Sequence, residues 1–418
     1  MKTFCFRTYH SKKNRYLHNQ ISLAGEIYNH CIALHKRYYR MYKKSLSAYS
    51  LQKHLAKLKK RERYSHWNQL GSQAIQDIAD RIDKAHKLFF RNQKHGIKSG
   101  TPSFKKRRNY KSFTLKQAGY KLLSFRRVTR KKQIGDNRIK IGNKIFKFFK
   151  SQDIQGNIKT ITVKRDKLGD IYIHIVTDFV ETRIAPRTGE IVGFDFGLKT
   201  FLTVSNDEDV ESPLFFQQNR TTIRKANRKL SKKQRHSNNR LKARKSLERR
   251  HKRIANQRND FHWKLANELT DKYDFMFFEN LNIKAMQILW GRKICDLSFY
   301  SFMLKLNYLA SVKGKTVFCI GRFEPSSKTC SVCGYVYKNL ELKEREWHCP
   351  ECKTIHNRDK NASYNILRVG ASTLGLGDVR PMGSRGRLPL RLAISAMRRD
   401  SQSTKPQDPT SSLVGVCQ

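Results

Sequence analysis

Ile191-Val192-Gly193-Phe194-Asp195-Phe196-Gly197 is an apolar run broken by one carboxylate. A short apolar run bounded by glycine reads as a buried strand, and a charge inside one is costly unless a cation answers it. Two later segments repeat the device. Phe275-Met276-Phe277-Phe278 ends on Glu279, and His356-Asn357-Arg358-Asp359-Lys360-Asn361-Ala362 opens a helical pattern with Asp359. Any one of these acids alone reads as a solvated residue or a helix cap. Delivered together from two strand ends and a helix start, Asp195, Glu279 and Asp359 are the oxygen donors that magnesium ions require, with phosphate oxygens completing the shell.

A second constellation is sharper in spacing. Cys330-Ser331-Val332-Cys333 is followed, after fifteen residues, by Cys349-Pro350-Glu351-Cys352. Two such knuckles place four thiolates about one zinc ion, and four sulfurs leave no open position for water, so the zinc is structural. The remaining cysteines (Cys5, Cys31, Cys295, Cys319 and Cys417) are scattered, a pattern expected of ordinary buried thiols in a reducing compartment and not of a disulfide framework.

The partner follows from charge. Among 418 residues, 87 Lys and Arg face 33 Asp and Glu, a net charge of +54. A polyanion is the natural counterpart, nucleic acid first. Aromatics at 11% supply core formers that a disordered basic tail lacks. No apolar run approaches the roughly 20 residues of a membrane span, and the N-terminus has no apolar signal segment. The expected location is cytoplasmic and, in a prokaryote, nucleoid-associated, with no membrane partner.

The elements that must position these groups can be read in outline. A strand-like alternation at Lys2 to Tyr9 precedes an amphipathic helix striped by Leu17, Ile21, Ala24, Tyr28, Cys31 and Tyr38, and a second helix runs from about Ser72 to Asn92. From Ser112 to Phe179 the pattern turns to strands, with a hairpin about Lys167-Leu168-Gly169-Asp170, and is expected to form a small antiparallel β-barrel. Between Arg220 and Arg258 lie 17 Lys or Arg and one acid, Glu248, without Pro or Gly. Two helices broken near Ser237-Asn238-Asn239 are expected there, with only a narrow packing stripe and the rest a phosphate-binding surface. After about Gly370 periodicity is lost, and residues 371–418 are expected to be a disordered tail.

The order strand, hairpin return at Phe201 to Val204, strand at Phe275 to Phe278, strand at Thr316 to Ile320, and helix bearing Asp359 resembles an RNase-H-like fold. The first and fourth strands of that fold are neighbours, which would bring Asp195 beside Glu279. More specifically, Gly193 to Lys199, Glu279-Asn280-Leu281-Asn282-Ile283, Ser326 to Gly334, Trp347 to Cys352 and His356 to Ala362 resemble the successive motifs of the transposon-encoded TnpB family. Members are RNA-guided DNA endonucleases with a RuvC-like domain, relatives of type V CRISPR effectors. The resemblance is close from Gly193 to Leu367 and looser before it, where Gln73 to Phe90 and Gly100-Thr101-Pro102-Ser103-Phe104-Lys105 still follow the pattern. Two places depart from it. Asn357 stands where members often have an acid, leaving Asp359 as the third ligand, and Ser72 stands where some members have a lysine.

The resemblance implies an α+β multidomain chain. An N-terminal helical recognition domain (11–105) would accompany a wedge-like β-barrel domain (1–10 and 106–185) that binds guide RNA and DNA. A RuvC-like α/β nuclease domain (190–325 and 355–370) would carry the basic helices 217–262 and an inserted zinc ribbon (326–354). It implies a guide RNA from the transposon end, a double-stranded DNA target beside a short recognised element, and possible cooperation with a separate transposase on the same element. It also implies two Mg²⁺ ions at Asp195, Glu279 and Asp359, one structural Zn²⁺ at the four cysteines, and hydrolysis leaving 5′-phosphate ends. Gln76 matches a family contact to the adjacent element. Arg224, Lys225, Arg228, Lys232, Arg244, Arg249 and Arg253 are the expected nucleic-acid contacts on the basic helices. Three alternatives stay open: a non-cutting RNA-guided repressor, a transposase that joins DNA directly, and a miniature CRISPR effector.

Overall fold

The computed structural model describes residues 1–123, 127–129, 132–134, 137–322, 324–341 and 343–377. The expected tail therefore lies, from residue 378 onward, outside the described residues. The chain divides into two compact units, Met1–Glu181 and the remainder from Thr182. Among the described residues no helix is long and apolar enough to cross a membrane.

The first unit opens with strand β1 (Lys2–Arg7) and helices α1 (Asn14–Tyr42), α2 (Ala48–Leu58) and α3 (Ser72–Lys94). Strands β2 (Ser112–Leu115), β3 (Tyr120–Leu123), β4 (Arg127–Thr129), β5 (Lys132–Ile134), β6 (Arg138–Ile141), β7 (Lys144–Lys147), β8 (Ile158–Arg165) and β9 (Ile171–Thr177) follow. Leu17, Ile21, Ala24 and Cys31 of the α1 stripe are buried with Ile75, Ile78 and Ile82 of α3 and with Phe4, Phe113, Ile161 and Ile173 of the strands. The expected hairpin is present between β8 and β9. Asp166 closes its turn by accepting from the amides of Leu168 and Asp170, and Gly169 takes φ +95°.

The expected β-barrel does not form. The strands make a four-stranded sheet of order β1-β9-β8-β2, a three-stranded sheet β3-β6-β7 and the pair β4-β5, and none closes on itself. The reason is visible at β2. Arg81 of α3 donates to Ser112 and Thr114, and the apolar face of the sheet packs on α1 and α3. Helices cover the surface and edge that further strands would otherwise have to close. Of the scattered thiols, Cys31 is buried, but Cys5 and Cys295 reach the surface.

In the second unit β10 (Ile191–Phe196), β11 (Thr200–Val204), β12 (Val210–Glu211), β13 (Phe275–Glu279) and β14 (Thr316–Ile320) form one sheet of order β12-β11-β10-β13-β14. β10 lies parallel to β13 with Phe194 opposite Phe278, and antiparallel to β11 with Asp195 opposite Thr203. Helices α4 (Phe215–Gln218), α5 (Arg220–Ser231) and α6 (Asn238–Lys272) precede β13, and α7 (Ile283–Leu297) and α8 (Phe299–Lys313) follow it. The break in the basic segment falls where Ser237 caps α6 by accepting from the Arg240 amide. Buried Asp296 of α7 receives the Phe216 and Gln217 amides of α4 and pairs with Arg258 of α6 at 3.0 Å, fixing the root of the basic helix.

The ribbon strands β15 (Glu346–His348) and β16 (Ile355–Asn357) pair, and α9 (Arg358–Thr373) starts directly after β16. α9 runs three residues past the expected end of periodicity at Gly370. Its approach to the sheet depends on two glycines: a Cβ on Gly193 would lie 2.3 Å from the Ser363 carbonyl oxygen, and one on Gly370 would lie 2.1 Å from Phe277. Gly193→Ala is therefore expected to destabilise this unit by about 2 kcal/mol, because the clash is with backbone that cannot rotate away. Thermal unfolding of the variant checks this, and an unchanged melting temperature would contradict the packing described.

Candidate active site

Asp195 and Glu279 end adjacent parallel strands, one position beyond the Phe194–Phe278 register pair. Each strand is a continuous apolar run, buried over three successive residues, Val192 to Phe194 and Met276 to Phe278, and its acid follows directly at the sheet's C-terminal end. Asp359 arrives from the first turn of α9, whose N-cap is Asn357: its side-chain oxygen accepts from the amides of Asp359 and Lys360 at 3.1 and 3.2 Å. The residue that departs from the resembled motif thus has a structural task, since an asparagine caps as well as an acid does. Lys360 ties the same turn to the β11–β12 loop, donating to the Val204 carbonyl and the Asp209 carboxylate and pairing with Asp207 at 3.0 Å.

The electrostatics join the three acids into one group. Burial pushes the Asp195 carboxyl well above its usual range, and the charges of Glu279 and Asp359 push it further; the Phe196 amide and Arg358 oppose the shift. Burial also raises Glu279. Among the described residues the cysteine quartet, and not these three acids, brings its ligand atoms within 4.8 Å of one another. The acids are linked by charge, and a divalent cation between them would relieve the repulsion at Asp195 and the lost hydration of Asp195 and Glu279. The only guanidinium on an acid of this group, among the described residues, is Arg345 from the edge of the ribbon. Its Nη1 lies 3.2 and 3.3 Å from the two Asp359 oxygens. Sequence reasoning missed Arg345, because it sits in a run of charged residues from Glu341 to Glu346 that offers nothing to single it out.

The four cysteines converge. Their sulfurs lie within 4.8 Å of one another, with Cys330–Cys352 at 3.6 Å and Cys333–Cys349 at 3.5 Å. Zinc–sulfur bonds of about 2.3 Å in a tetrahedron require edges of roughly 3.7 Å, so the cluster is compatible with a zinc site. Burial raises the Cys330 thiol to about 12, whereas hydrogen bonds from Thr354 draw Cys352 down to about 6. The ribbon's own core is little more than Leu340, Trp347 and Tyr337 around the cysteines.

Gln76 and Ser72 are exposed on the first turns of α3. Arg224, Lys225 and Arg228 on α5, Lys232 just beyond it, and Arg244, Arg249 and Arg253 on α6 are all exposed as well, while Ile223, Ala243 and Ile254 form the buried stripe.

Comparison with known proteins agrees with the motifs. Residues 174–289 match the OrfB_IS605 family, described as "Probable transposase", and residues 299–366 match the Cas12f1-like TNB domain. A Streptomyces pristinaespiralis protein named "Putative RNA-guided DNA endonuclease" is 35% identical over 53% of this chain and 56% of its own length. InsQ of Escherichia coli K12, given the same description, is 27% identical over 75% of this chain and 78% of its own. The match thus spans little more than half of the Streptomyces relative. Among solved structures, the fold is similar to Cas12f1 in its complex with sgRNA and target DNA (TM-score 0.52, 16% identity, 85% of this chain and 83% of that one). It is also similar to the mini-RNA-guided endonuclease CRISPR-Cas_phi3 (TM-score 0.54, 11% identity, 91% and 93%). The resemblance read from the motifs therefore holds in sequence and in fold.

Proposed function

We propose that this relative of TnpB and Cas12f proteins is an RNA-guided double-stranded DNA endonuclease encoded by a transposable element. The observation that carries the reading is a 3-2-1-4-5 sheet, an RNase-H-like, RuvC-type order, whose neighbouring β10 and β13 carry Asp195 and Glu279 and where Asp195 is coupled by charge to both Glu279 and Asp359, in a chain of charge +54. A transposon-end RNA serves as guide and pairs with the target. The protein needs positive surface more than base-reading side chains, because pairing does the sequence reading. Gln76 faces the element beside the target, and the exposed cations of α5 and α6 track the phosphates. The RNA-guided repressor is disfavoured by the presence of all three acids.

Asp195, Glu279 and Asp359 would hold two Mg²⁺ ions, which when bound supply an activated water and stabilise the leaving 3′-oxygen, so that a 5′-phosphate end results. The chain's own groups do the rest. β10 and β13 fix two carboxylates rigidly, the Asn357 cap and Lys360 fix the third, and the buried phenylalanines beneath them exclude bulk water. Arg345 neutralises Asp359 while no cation is bound there and is within reach to turn its guanidinium to a phosphate oxygen of the strand being cut.

Arg345→Ala is expected to lower target cleavage by about 100-fold with guide-RNA binding unchanged, the lower end of the loss seen for one charge-stabilising donor. Single-turnover cleavage by the guide complex measures it; a wild-type rate would remove Arg345 from the site. Titrating magnesium against a guided plasmid target, and testing whether the product ends ligate without a kinase step, tests the reaction itself. Cutting that persists in a chelator, or ends lacking 5′-phosphate, would refute it.

A further inference from the structure

Two side chains of α9 beyond Asp359, Asn361 and Asn365, reach the first cysteine knuckle. Asn361, 1% exposed, donates through Nδ2 to the Thr329 carbonyl at 2.7 Å and accepts through Oδ1 from the Ser331 amide at 2.9 Å. One turn on, Asn365 donates to the carbonyls of Ser326 and Thr329 at 2.8 and 2.6 Å. These contacts bracket Cys330 on both sides. Three residues before Asp359, buried His356 places Nε2 3.0 Å from the Cys330 sulfur and packs its ring, tilted by 37°, against Trp347 at 4.8 Å. A zinc-bound thiolate can only accept, so His356 is the donor of that bond, an outer-shell contact of the kind that orients a metal ligand.

We propose that the four-cysteine site positions the third nuclease acid, with Asn361, Asn365 and His356 as the positioning residues that join the first zinc knuckle to the start of α9. The inference rests on the reading of Asp359 as a nuclease acid. Its physical basis is independent of that reading. Asp359 sits between His356 and Asn361, both fastened to the backbone or sulfur of Cys330 and its neighbours. When zinc leaves, Cys330 loses its fixed place, and the partners of Asn361 and Asn365 move with the knuckle. The first turn of α9 then keeps the Asn357 cap, the Lys360 tether and its packing on the sheet beside Gly193, but loses its anchor to the knuckle. Members of a buried polar network support one another, so displacing the knuckle weakens the bonds of Asn361 and Asn365 together.

The test compares the full-length protein with zinc bound and after extraction by a zinc-selective chelator, following amide hydrogen exchange over 358–363 and, as an internal reference, over β10 and β11. Zinc removal is expected to speed exchange over 358–363 at least tenfold and to leave the reference strands unchanged. Asn361→Ala, held in excess zinc, is expected to show the same local speeding and at least a tenfold fall in the cleavage rate of a pre-bound target, with guide-RNA affinity unchanged. A weaker zinc grip in that variant supports the coupling too, since coupling between sites is reciprocal. Unchanged exchange over 358–363 on zinc removal would overturn the proposal, as would an Asn361→Ala protein that exchanges and cuts like wild type. If the wild-type complex cut nothing, the nuclease reading would fail, while the exchange comparison would still decide whether the knuckle holds α9.

Discussion

Asp195→Ala abolishes target cleavage, lowering the rate at least about a thousandfold, or roughly 4 kcal/mol of transition-state stabilisation, while guide-RNA and target binding stay near wild type. The carboxylate lies at the end of β10, where it meets Glu279 on the neighbouring strand and Asp359 on α9, far in sequence from the basic surface of α5 and α6. On the proposed reading, removing it deletes a metal ligand and leaves the cationic surface intact. The raised pKa of Asp195 adds a stability signature. A carboxyl whose folded pKa lies above its unfolded value destabilises the fold while it is ionised, and that cost is relieved as pH falls through the folded pKa. Asp195→Asn is therefore expected to melt higher than wild type at neutral pH without divalent metal, and magnesium is expected to narrow the gap by stabilising only the wild type. Falling pH favours the protonated acid over the metal-bound one, so cleavage weakens toward acid. Filter binding, cleavage assays and thermal shifts read these out. A large loss of RNA binding in Asp195→Ala would mean that the acid is structural.

Cys330→Ser is expected to drop bound zinc from one ion per chain to almost none and to lower cleavage by about a hundredfold or more. The ribbon's own apolar core is small: Leu340, Trp347 and Tyr337 cannot order a segment of this length without metal. Cys330 is also the cysteine on which His356 converges and whose flanking backbone receives Asn361. The effect should therefore reach beyond the ribbon into the first turn of α9, and should exceed that of Cys352→Ser, whose sulfur contacts Thr354 within the ribbon itself. Elemental analysis with parallel cleavage assays checks both variants. A fully active Cys330→Ser protein without zinc would refute the structural role of the metal.

Much of the second unit was legible because its signals are local and redundant. The strand at Ile191–Phe196 announces itself by an apolar run, the break between α5 and α6 by Ser237, and the knuckles by cysteine spacing. That Asp195 and Glu279 would meet needed the strand order, which the succession of elements supplied. The β-barrel was misread for a physical reason: alternation reports which face of a strand is buried but not what covers it, and here α1 and α3 cover it. Arg345, Lys360 and Asn365 went unassigned because each acts through a partner distant in sequence. Asn361 and Asn365 did leave a trace. Two amides four residues apart on a helix beside Ala362 and Ile366 form a polar pair within a buried face, and such pairs have a partner.

The central claim is that this chain cuts DNA under the direction of an RNA. The most direct measurement expresses it with its native flanking DNA, sequences the RNA that co-purifies, and challenges the complex with a plasmid library bearing a matching target beside randomised sequence. The account predicts one discrete bound RNA and magnesium-dependent cutting of both strands next to a single short element, lost in Asp195→Ala. Bound RNA with target binding but no cutting would favour the repressor, and the absence of any discrete RNA would contradict the guided reading altogether.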